Sequence, residues 1–156
     1  MLATRYSLPA TTVMKIRQLS IFLENRTGRL SALCRTLADA GVNLSTLTLA
    51  ETGEFGLLRL ITPDADKARA AVEKAGYAVT ATEVVALQVP DRPGGLASVL
   101  KVLEAADISV EDMYAFAMRT GGDAILIFRC GDMDRAIGAL QAGGVAVTRA
   151  VDLFGK

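Results

Sequence analysis

The sequence predicts an α+β protein made by tandem duplication, with the order strand, helix, strand, strand, helix, strand used twice. Three observations carry this expectation. Apolar residues alternate with period two in some stretches and recur at i, i+3, i+4 and i+7 in others, which separates strands from helices. The alternation of Leu19, Ile21 and Leu23 returns at an offset of 66 as Val85, Leu87 and Val89, and a helical stripe follows it both times. In each half a polar turn with glycine joins the first strand to the first helix.

In the first half, a strand begins near Ile16 and carries Leu19, Ile21 and Leu23 on one side, with Gln18 and Ser20 on the other. A turn over residues 24–27 leads into an amphipathic helix whose stripe is Leu30, Leu33, Cys34, Leu37 and Ala38. Gly41 supplies the left-handed residue that ends it. Leu47 and Leu49 then oppose Thr46 and Thr48 in a second strand. Thr52-Gly53-Glu54 turns the chain into a third strand over residues 55–62, making a hairpin. Asp64 offers an N-cap for a helix with Ala68, Ala71, Val72 and Ala75 inward, and Gly76 closes it. A short fourth strand covers residues 77–82.

The plan restarts at Glu83. Leu96, Val99, Leu100 and Leu103 form the helix stripe, residues 109–118 and 123–130 flank the turn Thr120-Gly121-Gly122, and Asp132 or Asp134 opens the last helix. Ala136, Ile137 and Leu140 point inward, Gly143-Gly144 stops the helix, and residues 145–153 are expected as a closing strand. Two helices per half cover only one face of an antiparallel sheet, which is the ferredoxin-like, split βαβ arrangement. The domains are expected at 14–82 and 83–156. Residues 1–13, which carry Arg5 and several Ser and Thr but no acid, are expected as a flexible N-terminal extension or a start assigned too early, with an organelle-targeting segment as the alternative. No Gly, Pro or Ser run separates the halves at Thr82-Glu83, so tight coupling is expected. About seventy residues make a thin core, so the halves should pair side by side or face to face, and a homodimer is expected.

Composition limits function. Hydrophobic residues make up 51% and charged ones 22%, and 17 basic residues balance 17 acidic ones. No basic field exists to draw nucleic acid or anionic lipid, and no apolar run is long enough to span a membrane. The strand aromatics Phe55, Tyr114, Phe116 and Phe128 do not form a base-stacking pattern. Histidine is absent, which removes Ser–His and Cys–His nucleophile pairs and histidine metal sites. Cys34 and Cys130 sit in unrelated elements, so no disulfide framework or metal site is expected and a cytoplasmic setting is the default. Glu51, Glu54, Glu111 and Asp112 are candidate catalytic acids but read as solvated surface. Met113, Met118 and Met133 read as core filler. Tyr114 and Phe116 face away from Ala115 and Ala117, toward ordinary packing or a pairing surface.

The two turns admit two readings. The first N–H groups of a helix lack internal partners and carry partial positive charge, so a carboxylate docks there readily. Gly28 and Gly94 allow close backbone approach, and Asn25 can donate and accept toward a zwitterion. Asn43, opening the next strand, is expected near the same end of the sheet or in a paired neighbour. Alternatively, Asn25, Thr27 and Gly28 only cap the helix. Arg26 and Arg92 are solvated charges or clamps on an acidic group.

Asn25-Arg26-Thr27-Gly28-Arg29-Leu30 and Asp91-Arg92-Pro93-Gly94-Gly95-Leu96 resemble the signature of ACT domains, ferredoxin-like modules that bind amino acids and regulate metabolic enzymes. The likeness extends from Met14 to about Leu153, and the whole chain resembles stand-alone tandem ACT proteins. The first half is similar to the serine-binding domain of phosphoglycerate dehydrogenase, where an asparagine in the turn and one opening the second strand hold the amino acid across a paired interface. The resemblance puts those roles on Asn25 and Asn43. It implies a non-catalytic regulator without cofactor that binds a free amino acid and acts on a separate metabolic enzyme. A ligand-free dimerisation module is the alternative. Thr27 stands where the signature has proline, and Asp91 and Ser109 stand where the first half has asparagines, so the two sites are expected to differ, the first being the better.

Overall fold

The computed structural model describes residues 11–154, apart from the side chains of Thr52 and of residues 117–120. Residues 1–10 of the expected N-terminal extension, and the side chain of Met118, lie outside what is described. The end of that extension is ordered, with Thr12–Met14 forming a single 3-10 turn. Thr11 Oγ1 donates to Asp134 Oδ1 at 2.6 Å, which ties it to the second half.

The elements are β1 (Lys15–Glu24), α1 (Arg29–Asp39), β2 (Thr46–Thr52), β3 (Phe55–Ile61), α2 (Ala65–Lys74), β4 (Ala78–Pro90), α3 (Gly95–Ala105), β5 (Val110–Thr120), β6 (Asp123–Cys130), α4 (Met133–Ala142), β7 (Ala146–Thr148) and α5 (Ala150–Phe154). All strands join one antiparallel sheet in the order β2-β3-β1-β4-β6-β5, with β7 also on β4. Two of the expected strands are one. Residues 77–82 and the strand restarting at Glu83 form the single 13-residue β4. Its first part pairs with β1, from Ala78 opposite Phe22 to Val85 opposite Lys15. Its last part, from Val85 to Pro90, pairs with β6. The duplication thus shares a strand, which runs through the expected boundary at Thr82-Glu83.

The closing strand is shorter than expected, and the reason is occupancy. β7 pairs Ala146, Val147 and Thr148 with Gln88, Leu87 and Ala86. The next position on β4, Val85, already pairs with Lys15 of β1. With no free edge left, the chain turns at Arg149, whose carbonyl accepts from Asp152 and Leu153, and enters α5.

Three apolar layers follow. Leu19, Ile21, Leu33, Leu37, Leu58, Leu60 and Val72 pack beneath α1 and α2. Val85, Leu87, Val99, Leu103, Phe128, Ile137 and Leu140 pack beneath α3 and α4. The third layer joins the halves, with Ile16, Ile61, Val84 and Ala86 meeting Phe116, Ile125, Ile127 and Leu153. The helix-free face of one half therefore lies on that of the other. This overturns the expectation that β1 is half-buried, because Gln18 and Ser20 are buried as well. It also places Tyr114 and Phe116 on a pairing surface, the one between halves.

Several polar groups at that seam pair with one another, although the buried Asp112 Oδ2 accepts no hydrogen bond. Tyr114 Oη donates to Gln18 Oε1 at 2.6 Å, and Gln18 Nε2 to Thr82 Oγ1 at 3.4 Å. Arg59 Nε lies 3.1 Å from Asp112 Oδ2. Asp112 is therefore a seam residue rather than solvated surface, and Glu111 pairs with Arg129. Burial pushes the Tyr114 phenol well above its ordinary range, assisted by the Asp112 charge. Burial likewise raises the Cys130 thiol, and both Cys34 and Cys130 are free.

Candidate functional site

The strand-to-helix turn is built by the same four backbone hydrogen bonds in both halves. In the first, Asn25 N–H donates to Glu54 O (2.8 Å), Arg26 N–H to Glu24 O (2.8 Å), Arg29 N–H to Arg26 O (3.2 Å) and Ala32 N–H to Gly28 O (2.9 Å). In the second, Asp91 donates to Gly122 O (3.1 Å), Arg92 to Pro90 O (2.9 Å), Gly95 to Arg92 O (3.0 Å) and Ser98 to Gly94 O (3.0 Å). Gly28 and Gly94 take left-handed φ values of 86° and 83° as the residues preceding α1 and α3. Few residues other than glycine adopt that conformation without strain. In each case the helix has no side-chain cap.

The last point decides between two uses of Asn25. It does not cap α1; its Nδ2 donates to Gly53 O at 3.3 Å and fastens the turn to the β2–β3 hairpin. Beside it lies a pocket of about 230 Å³ lined by Leu23, Glu24, Asn25, Arg26, Leu30, Leu49, Ala50, Glu51 and Gly56. Glu24 stands at its rim, its Oε2 lying 3.1 Å from Arg26 Nε and 3.5 Å from Arg29 Nη2. Arg29 itself faces a second groove, of about 340 Å³, with Phe22, Phe55 and Tyr77. Thr27 and Gly28 are exposed on the turn between the two openings.

Sequence reasoning named Asn25, Arg26 and Leu30 of this pocket but not Leu23, Glu24, Leu49, Ala50, Glu51 or Gly56. A signal was present. Gly56 interrupts a strand pattern, which marks a close approach, and β3 must start beside the end of β1 because the two are antiparallel.

Of the two placements expected for Asn43, the same end of the sheet does not hold within one half, which leaves the paired neighbour. Asn43 is exposed just beyond α1, at the opposite end of the helix from Asn25. Eleven helical residues at about 1.5 Å each separate the two ends by roughly 16 Å. The topology forces this, since β1 and β2 run the same way with β3 between them. A single half therefore does not bring the two asparagines together. The same holds in the second half, where Ser109 lies beyond α3 in a groove with Leu100, Glu104 and Asp107, and not at the Asp91 turn.

The second turn is tighter than the first. A Cβ on Gly95 would lie 2.0 Å from the Pro90 carbonyl oxygen, so the start of α3 sits against the strand end where Arg29 has a full side chain in the first half. Asp91, Arg92, Pro93 and Gly94 are exposed, and Leu96 is partly buried against the second core. Among the described residues no group of three or more His, Cys, Asp or Glu could hold a metal ion. No helix among them is long and apolar enough to cross a membrane.

A ferredoxin-like unit duplicated around one sheet, with a glycine turn open at the end of its first strand, defines the class as a tandem ferredoxin-like domain pair. The chain belongs to the ACT domain family, matching the ACT domain pair over residues 14–145. It is similar to protein BT0572 from Bacteroides thetaiotaomicron, with 41% identity over 92% of this chain and 98% of that one, and a TM-score of 0.84. Its fold is also similar to the ligand-free regulatory subunit of aspartate kinase from Thermus thermophilus (13% identity, 82% and 92% covered, TM-score 0.59). A further likeness is to aspartate kinase from Synechocystis (19% identity, 91% and 27% covered, TM-score 0.55). A comparison with the curated proteins gives no match.

Proposed function

We propose that this protein is a non-catalytic sensor that binds a free amino acid at the first β1–α1 turn and regulates a separate metabolic enzyme in the cytoplasm. The observation that carries the reading is the pocket where Asn25 and Arg26 meet Leu23, Leu30 and Leu49 beside the uncapped start of α1. A zwitterion's carboxylate has Arg26 and the helix end to face, and its ammonium group has Glu24 and Glu51. The regulatory role of the aspartate kinase subunits supports the same direction by fold.

The site is completed by a second copy. β2 is an edge of the sheet, and its Leu47 and Leu49 are 46% and 49% exposed on the helix side. Two β2 edges pairing antiparallel about a two-fold axis bury these leucines. They also set the start of one β2, with its Asn43, beside the end of the other, where the Asn25 turn lies. This arrangement gives Asn25 and Asn43 the shared role that the serine-binding resemblance implies. The second turn, with Asp91, Arg92, Pro93, Gly94, Gly95 and Leu96, and Ser109 beyond the far end of α3, is the weaker site because Gly95 is closed against Pro90. A ligand acts here only through unequal affinity for two arrangements of the halves or copies.

A thermal-shift panel of the twenty amino acids tests binding, since a specific ligand raises the melting temperature by mass action. Calorimetry on Asn25→Ala and Asn43→Ala then locates it; unchanged affinity in both removes the assignment. The exposed β2 leucines also favour a second reading, a ligand-free dimerisation module, which predicts no shift with any amino acid.

A further inference from the structure

We infer that the first site selects its amino acid by a short aliphatic side chain, with Leu23, Leu30, Leu49 and Gly56 as the selecting wall. This rests on the reading that the pocket holds a free amino acid. Its volume of about 230 Å³ lies below the roughly 300–1,000 Å³ of pockets that take drug-sized ligands, in keeping with a small amino acid.

The lining is divided. Glu24, Asn25, Arg26 and Glu51 supply the charged and amide groups, while Leu23, Leu30, Leu49 and Gly56 bring no polar side-chain atom. A zwitterion oriented by the first set turns its side chain to the second. A hydroxyl, carboxylate or ammonium group placed there gives up water and finds no partner, which disfavours it. A methyl or isobutyl group finds three leucines.

Gly56 sets the depth. It is buried on β3, and a Cβ there would stand 3.3 Å from Leu49 Cδ1 and 3.6 Å from Leu23 Cγ, inside the wall. Strand pairing gives its counterpart in the second half. Gly56 lies opposite Leu23 as Ala124 lies opposite Val89, and Leu49 lies opposite Leu58 as Ala115 lies opposite Leu126. The second half thus has a Cβ where the first has none, and alanine where the first has Leu49. Among the described residues, the leucine wall with a glycine floor belongs to the first half.

The test is calorimetric titration of the full chain with L-alanine, L-valine, L-leucine, L-isoleucine, L-serine, L-aspartate, L-lysine and L-phenylalanine. The branched aliphatic three are expected to bind at least tenfold tighter than serine, aspartate and lysine. Gly56→Ala is expected to weaken leucine about tenfold and alanine less than about twofold. Leu49→Ala, with its oligomeric state checked because Leu49 lies on the β2 pairing edge, is expected to reduce the preference for leucine over alanine, and it serves if Gly56→Ala does not fold. Serine, aspartate or lysine binding as tightly as leucine, and lost in Asn25→Ala, overturns the selectivity while leaving the amino-acid site standing. An aliphatic preference untouched by both wall variants overturns the assignment of the wall. No binding by any amino acid overturns both.

Discussion

Replacing Tyr114 by Phe removes one oxygen from the seam between the halves and tests whether that seam is a specific interface. The hydroxyl donates to Gln18 Oε1 at 2.6 Å, and Gln18 is 1% exposed. In Tyr114→Phe the amide oxygen stays buried with its donor gone. An unsatisfied buried acceptor costs about 1–3 kcal/mol. Taking ~2 kcal/mol, and roughly 2–4 °C per kcal/mol for a chain of this size, the melting temperature falls by about 4–8 °C. Gln18→Leu combined with Tyr114→Phe removes both polar partners, so the double variant is expected to recover part of the loss. The pH dependence supplies a second readout. The folded-state pKa of Tyr114 is raised, so above about pH 10 the unfolded chain loses the phenolic proton first and binds fewer protons than the folded one. Stability therefore falls as pH rises past that point, and Tyr114→Phe removes this component of the slope. Urea melts followed by circular dichroism at pH 7 and pH 10.5 measure both. A neutral single variant, or a double variant whose cost is the plain sum of the singles, refutes the reasoning.

Three other outcomes follow from particular contacts. Gly95→Ala puts a Cβ on the Pro90 carbonyl and should destabilise by about 1–3 kcal/mol in a denaturant melt. Asp107 holds φ of 54° at the helix end where the first half has Gly41 at 72°; Asp107→Gly relieves that strain and, after the added freedom of the unfolded chain, should raise stability by roughly 0.5 kcal/mol. The Asp134 carboxyl lies below its ordinary pKa because Thr11 and then Lys15 hydrogen-bond to it. Its contribution is present above about pH 4 and is lost as pH falls through the folded-state value, so Asp134→Asn should flatten the acid limb of a stability–pH curve.

Much of the fold was legible because side-chain periodicity is set by local geometry. Leu19, Ile21 and Leu23 alternate because a strand does, and Leu30, Leu33 and Leu37 recur because a helix does. The repeat at 66 and the two glycine turns followed directly, and both turns form the same hydrogen-bond set. Less of the candidate site was legible. The turn residues are adjacent in sequence, but Leu49, Glu51 and Gly56 reach the pocket only through strand pairing, which depends on register.

The sequence by itself determined the type and order of the elements through residue 142, the duplication and the turns, since each depends on neighbours a few residues apart. Only the tertiary structure decided that two strands fuse into β4, that the final strand stops where β1 takes the edge, and that Asn25 and Asn43 lie at opposite ends of α1. Those outcomes depend on which backbone groups compete for one sheet edge and on how long a helix is in space. Periodicity along the chain carries neither.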